Sequence, residues 1–162
     1  MDVKEALHRA YTEEAKAAVR LRIYAEKAAQ EGYIQMAKLF EAVARSEETH
    51  ATRALKLLAE IGDTEANLAR SFEVEESIAQ AAYGEFVKIA EKEGDQAASL
   101  HFSQSRDVEE THANLYKKAL NHFLEEREVT YWVCGLCGFI AEERAPEECP
   151  ICGMPREKFF NV

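Results

Sequence analysis

The feature that most constrains this chain is a five-residue word that occurs twice. Glu47-Glu48-Thr49-His50-Ala51 returns as Glu109-Glu110-Thr111-His112-Ala113, and the same shift of 62 positions carries Glu31-Gly32 onto Glu93-Gly94. A word repeated at one distance from a repeated glycine break describes two related helical hairpins. Proline is absent before Pro146, and apolar residues such as Leu39, Phe40, Val43, Leu55 and Leu58 recur at helical spacing. With breaks at Gly32, Gly62 and Gly94, the sequence predicts helices over roughly 3–30, 33–60, 65–93 and 96–126, with Thr64 as an N-cap.

Each copy of the word holds a Glu-x-x-His pair. Residues three apart on a helix lie one turn apart on nearly the same face, so each pair presents a carboxylate and an imidazole together. Two such helices, with one Glu from each of two more, form the di-metal carboxylate site of ferritin-like bundles. Counting back from the turn glycines to equal height gives Glu14 or its neighbour Glu13 on the first helix. On the third it gives Glu75 or Glu76, with Glu73 close by. Four carboxylates buried in a bundle without cations would be strongly unfavourable. His8, His101 and His122 have no such context and read as surface or interhelical residues.

Composition changes at Val129. Thr130-Tyr131-Trp132-Val133 favours strand, and all four cysteines and all three prolines follow. This sets domains at 1–128 and 129–162, with the charged segment Glu125 to Glu128 as the hinge. Cys134-x-x-Cys137-Gly138 and Cys149-Pro150-x-Cys152-Gly153 are two metal knuckles, and their four thiolates suit zinc or iron equally. Tyr131, Trp132, Phe139, Phe159 and Phe160 are the expected small core, and a domain of this size needs its metal to fold. The second site sits at the end of the fourth helix, so it is expected to lie away from its own chain's mid-bundle ligands. The formal charge of −10 disfavours nucleic acid or an anionic membrane as a partner. The first twenty residues have no apolar core of a signal peptide, and no apolar run could span a bilayer, so the expected location is cytoplasmic.

Both Glu-x-x-His pairs, the Ala25-Glu26-Lys27-Ala28…Glu31-Gly32 stretch, Ala37-Lys38-Leu39-Phe40 and the terminal Cys-Pro-x-Cys-Gly together resemble the rubrerythrins. The resemblance covers essentially the whole chain. It implies an all-α four-helix ferritin-like bundle followed by a small β-rich rubredoxin-like domain. It selects Glu14 and Glu75 as the remaining ligands beside Glu47, His50, Glu109 and His112. It also implies iron at Cys134, Cys137, Cys149 and Cys152: two iron ions in the bundle and one mononuclear iron per chain. The implied activity is a non-haem di-iron peroxidase that reduces hydrogen peroxide to water. Electrons would come from rubredoxin or an NAD(P)H-dependent reductase through the four-thiolate iron, in a head-to-tail homodimer. A ferroxidase that handles iron with oxygen is the alternative. Two positions depart from the family. Ile78 stands where a seventh, carboxylate ligand is usual, and Leu21 stands where a first-helix tyrosine is usual. The third-helix tyrosine falls on Tyr83.

Overall fold

The computed structural model describes residues 1–122 and 128–162, except for the side chain of Gln80. The chain divides into two compact units, Met1–Gly62 and Asp63–Val162.

The first unit is a hairpin of α1 (Val3–Gln30) and α2 (Ile34–Leu57). Asp2 caps α1 reciprocally with Glu5, satisfying two backbone N–H groups that a helix start leaves open. Gly32, at φ +85°, makes the reversal in a conformation that a side chain would strain. The buried positions are Ala18, Ala28, Ala44, Ala51, Ala54 and Leu58. Small residues at the seam let the helices approach closely, and an Arg22–Glu48 pair at 2.7 Å ties them together. Leu39 and Val43, expected on a core face, are 55% and 36% exposed. Ala44, one position on from Val43, and Ala51 and Ala54 beyond it take the seam instead.

The second unit starts with α3 (Thr64–Ser77). Its N-cap is Asp63, not Thr64, because the Asp63 carboxylate reaches the Ala66 amide at 2.9 Å. A π-helical turn, Ile78–Ala82, leads without a break into α4 (Tyr83–Glu93), and α5 (Gln96–Asn121) returns antiparallel after Gly94. Thus α2 ends at Leu57, three residues short of the predicted 60. The last residues predicted for the fourth helix, and most of the charged hinge, lie outside the described residues.

The remainder of this unit is a three-stranded antiparallel sheet in the order β2-β1-β3. Its strands are β1 (Tyr131–Cys134), β2 (Ile140–Glu142) and β3 (Phe159–Asn161), with Trp132 opposite Ala141 and Asn161. Trp132, Phe139 and Phe159 pack around the cysteines as expected, with Ala145, Ile151 and Met154. Tyr131 and Phe160 do not join them, being 38% and 54% exposed. Strand alternation turns each to the face opposite its inward neighbour.

Candidate metal centres

Each hairpin gathers its own carboxylate–imidazole triad. In the first unit, ligand atoms of Glu14, Glu47 and His50 all lie within 4.8 Å of one another. His50 Nδ1 is 3.2 Å from Glu47 Oε2 and 4.0 Å from Glu14 Oε1. In the second, Glu75, Glu109 and His112 form the equivalent group, with His112 Nδ1 3.1 Å from Glu109 Oε2. Two ligands about 2.1 Å from one ion at right angles stand about 3 Å apart, so the 3.2 and 3.1 Å spacings within the two Glu-x-x-His pairs fit a shared cation.

Electrostatics agree. The hydrogen bond between Glu14 and Glu47 raises Glu14 and lowers Glu47, the mark of two carboxylates held against each other. Burial, then the hydrogen bond to Glu109, push Glu75 up to about 7. A metal ion would offset this carboxylate crowding with positive charge.

The structure decides the ambiguity between Glu75 and Glu76 in favour of Glu75 for the triad; Glu76 is exposed. The cause is visible in the backbone. Glu14 precedes its turn glycine by 18 residues and Glu75 precedes its own by 19. The π-turn absorbs the extra residue. A count by repeat alone therefore lands one position late, on Glu76. Ile78 opens that turn, half-buried. Tyr83 packs edge-on against Phe86 at 5.8 Å and tilts against Phe102 at 6.3 Å. Glu13 pairs with Lys16 at 3.3 Å, His8 with Glu60 at 3.0 Å, and His101 rests on Phe102. None of these three joins a triad.

The four cysteine sulfurs also lie within 4.8 Å of one another, with Cys134–Cys152 and Cys137–Cys149 each at 3.6 Å. An ion that binds thiolates tetrahedrally at about 2.3 Å spaces them about 3.8 Å apart. Without a cation these groups cannot all ionise. Burial pushes the Cys137 and Cys152 thiols up. Burial also acts to raise Cys134, but the backbone N–H groups of Cys137 and Leu136 and the Cys152 thiol outweigh it and hold Cys134 at about 7. Gly138 and Gly153, at φ +83° and +72°, bend the chain after each knuckle.

Sequence reasoning missed one contact. The carbonyl of Gly138 accepts a hydrogen bond from His112 Nε2 at 3.2 Å. The cysteine domain does not lie away from its own chain's ligands: it docks on α5, helped by a Lys118–Glu142 ion pair. The reason is that α5 ends nine residues past His112, and the sheet folds back along that helix. A proton on Nε2 leaves the Nδ1 lone pair facing Glu109, the orientation a ligand needs.

Residues 5–120 match the family model described as rubrerythrin, and residues 132–160 match that of the rubrerythrin rubredoxin-like domain. The chain belongs to the rubrerythrin family. Rubrerythrin-1 of Clostridium acetobutylicum is 32% identical over 178 residues, covering 96% of this chain and 91% of that protein. A putative rubrerythrin of Methanocaldococcus jannaschii is 32% identical over 194 aligned positions, covering 100% of this chain and 94% of its own. That stretch is longer than the 162 residues here, so the relative has residues inside it with no counterpart in this chain. A solved structure of fully reduced, all-ferrous nigerythrin matches with a TM-score of 0.61 at 27% identity, covering 100% of this chain and 87% of that one. The fold is thus a ferritin-like bundle followed by a rubredoxin-like domain, and the rubrerythrin cofactors, a carboxylate–imidazole di-iron centre and a four-cysteine iron, suit the ligand chemistry present.

Proposed function

We propose that this oxidoreductase reduces hydrogen peroxide to water at a di-iron pair held by Glu14, Glu47, His50, Glu75, Glu109 and His112. The overall balance is one peroxide, two electrons and two protons to two waters. When bound, the ferrous pair supplies both electrons for O–O cleavage, and the four-cysteine iron restores them singly. The donor to that iron is rubredoxin or a reductase fed by NAD(P)H. The observation that carries the reading is the Gly138 carbonyl on the His112 ring. Gly138 follows Cys137 directly, so a few covalent bonds and one hydrogen bond join a thiolate ligand to an imidazole ligand. That path gives the cysteine domain a purpose that iron storage would not require. His112 has two roles: Nδ1 faces the carboxylates, and Nε2–H holds the ring against the knuckle. Ile78 has no lone pair, so no carboxylate one turn beyond Glu75 can exchange with a histidine as the oxidation state changes.

Stopped-flow mixing of the fully reduced protein with peroxide or with oxygen tests this. Peroxide should reoxidise the four-cysteine iron, seen as returning visible colour, faster than oxygen does at equal concentration. Faster return with oxygen would turn the assignment towards an oxidase.

A further inference from the structure

The two hairpins correspond residue by residue, and at one place they differ in charge. The shift of 62 that carries the repeated word also carries Arg22 onto Gly84, Ala44 onto Arg106 and Glu48 onto Glu110. Gly84 lies past the π-turn, so the extra residue there does not disturb the match: Arg22 and Gly84 each stand ten residues before their turn glycine.

In the first hairpin Arg22 Nη2 crosses from α1 to Glu48 Oε2 on α2 at 2.7 Å. In the second hairpin that arginine is missing. A Cβ on Gly84 would meet nothing within 4 Å, so the glycine does not relieve a close approach. Arg106, on the facing helix, does not restore the bridge. Its guanidinium donates instead to Asp107 Oδ1, from Nη2 at 2.7 Å and from Nε at 3.0 Å. Among the described residues Glu110 has no hydrogen-bond or ion-pair partner, and neither have Glu76 and Lys117.

A cleft of about 450 Å³ opens where the side chain is missing. Gly84 and Arg106 stand at one end of it and Lys117 at the other, with Glu76 and Glu110 on its two walls. The buried Ala79 and Ala113 form its floor. From Glu110 to Lys117 the helix rises about 10 Å, two turns on one face, and Asn114 stands between them.

We propose that this cleft binds a small guanidino acid, a molecule with a guanidinium at one end and a carboxylate at the other, as in free arginine. The first hairpin supplies the template. A guanidinium is a planar set of N–H donors that matches carboxylates, and Arg22 on Glu48 shows one held at the corresponding place. In the second hairpin the guanidinium comes from solution and is held by Glu110 and Glu76. Asp107 offsets the charge of Arg106, so that arginine does not oppose it. The aliphatic stem lies over Ala79 and Ala113, and the ligand's carboxylate meets Lys117 with the Asn114 amide beside it. A molecule without the cation leaves Glu110 unpaired, and one without the anion leaves Lys117 unpaired. The site is separate from peroxide chemistry, so binding is the readout.

The test is isothermal titration calorimetry of the full-length, iron-loaded protein with three probes at matched pH and ionic strength. Agmatine keeps the guanidinium of arginine and lacks its carboxylate. Citrulline keeps the carboxylate and has a neutral urea in place of the guanidinium. Arginine should bind saturably, one per chain. Agmatine should bind about tenfold more weakly through loss of one charged pair, and citrulline should give no saturable signal. Lys117→Met should lower arginine to the affinity of agmatine and leave agmatine unchanged. Glu110→Gln should weaken both by about tenfold. Gly84→Arg puts a covalent arginine back into the cleft. It should abolish binding and raise the melting temperature, a gain that a misfolded variant would not show. Absence of saturable arginine binding would overturn the proposal. So would agmatine or citrulline binding as tightly as arginine, or an unchanged affinity in Glu110→Gln.

Discussion

Glu75 offers a test in which stability and metal binding move in opposite directions. Its carboxyl is pushed from an ordinary 4.5 up to about 7, first by burial and then by the neighbouring Glu109. In metal-free protein the folded state therefore holds a proton that the unfolded chain releases near pH 4.5. Between those values the native state binds more protons, so stability falls as pH rises from about 4.5 to 7 and stays low above it. The full shift corresponds to about 3 kcal/mol. Glu75 is only partly buried, and solvent screening reduces this to about 1 kcal/mol. Glu75→Gln removes the titration while keeping the shape. At pH 8 the metal-free variant should be about 1 kcal/mol more stable than the natural protein, a rise of several degrees in Tm for a bundle of this size. At pH 5 the two should melt together. Iron affinity should drop sharply, since an amide is a poor substitute for a carboxylate ligand. The assay is the helical circular dichroism signal of chelator-treated protein, melted at both pH values. A variant that melts lower than the natural protein at pH 8, or an unchanged pH profile, would refute the reasoning.

Three further outcomes follow from the cysteine domain. Cys149→Ser should remove the thiolate-to-iron colour and leave two of three irons bound, measured by absorption and metal analysis. Gly135→Ala should destabilise the domain by roughly 2 kcal/mol, because the added carbon would sit 2.9 Å from the Lys158 carbonyl that accepts the Gly135 amide; chelator-driven metal loss reads this. Glu142→Lys should exchange attraction to Lys118 for repulsion and weaken docking on α5 by about 1 kcal/mol. Peroxide-driven reoxidation of the four-cysteine iron should then slow several-fold and become sensitive to salt.

The two carboxylate–imidazole triads were legible because their code is local. A Glu-x-x-His pair fixes its own face, and the turn glycines fix the height of the partner acid. The choice of Glu75 over Glu76 was not legible from counting, because π-turns carry no strong sequence signature and a one-residue error moves a side chain by about 100°. Leu39 and Val43 misled for another reason. Periodicity reports which residues need cover, not which neighbour supplies it, and within the hairpin the alanines took the seam. The contact from Gly138 to His112 spans 26 positions and depends on how the sheet folds back on α5, which no pattern in the intervening residues records.

The π-turn also sets a phase relation between two parts of the second unit. Glu75 faces Glu109 across the helix pair, and further along Tyr83 faces Phe102. Eight residues separate the first members of these pairs and seven separate the second. Seven residues are two turns of regular helix, so α5 meets both contacts in register, whereas eight would rotate Tyr83 away by about 80°. The surplus residue held in Ile78–Ala82 cancels that rotation. It works as a vernier between a carboxylate at one end and an aromatic cluster at the other. A regular helix of this sequence could satisfy either end, but not both.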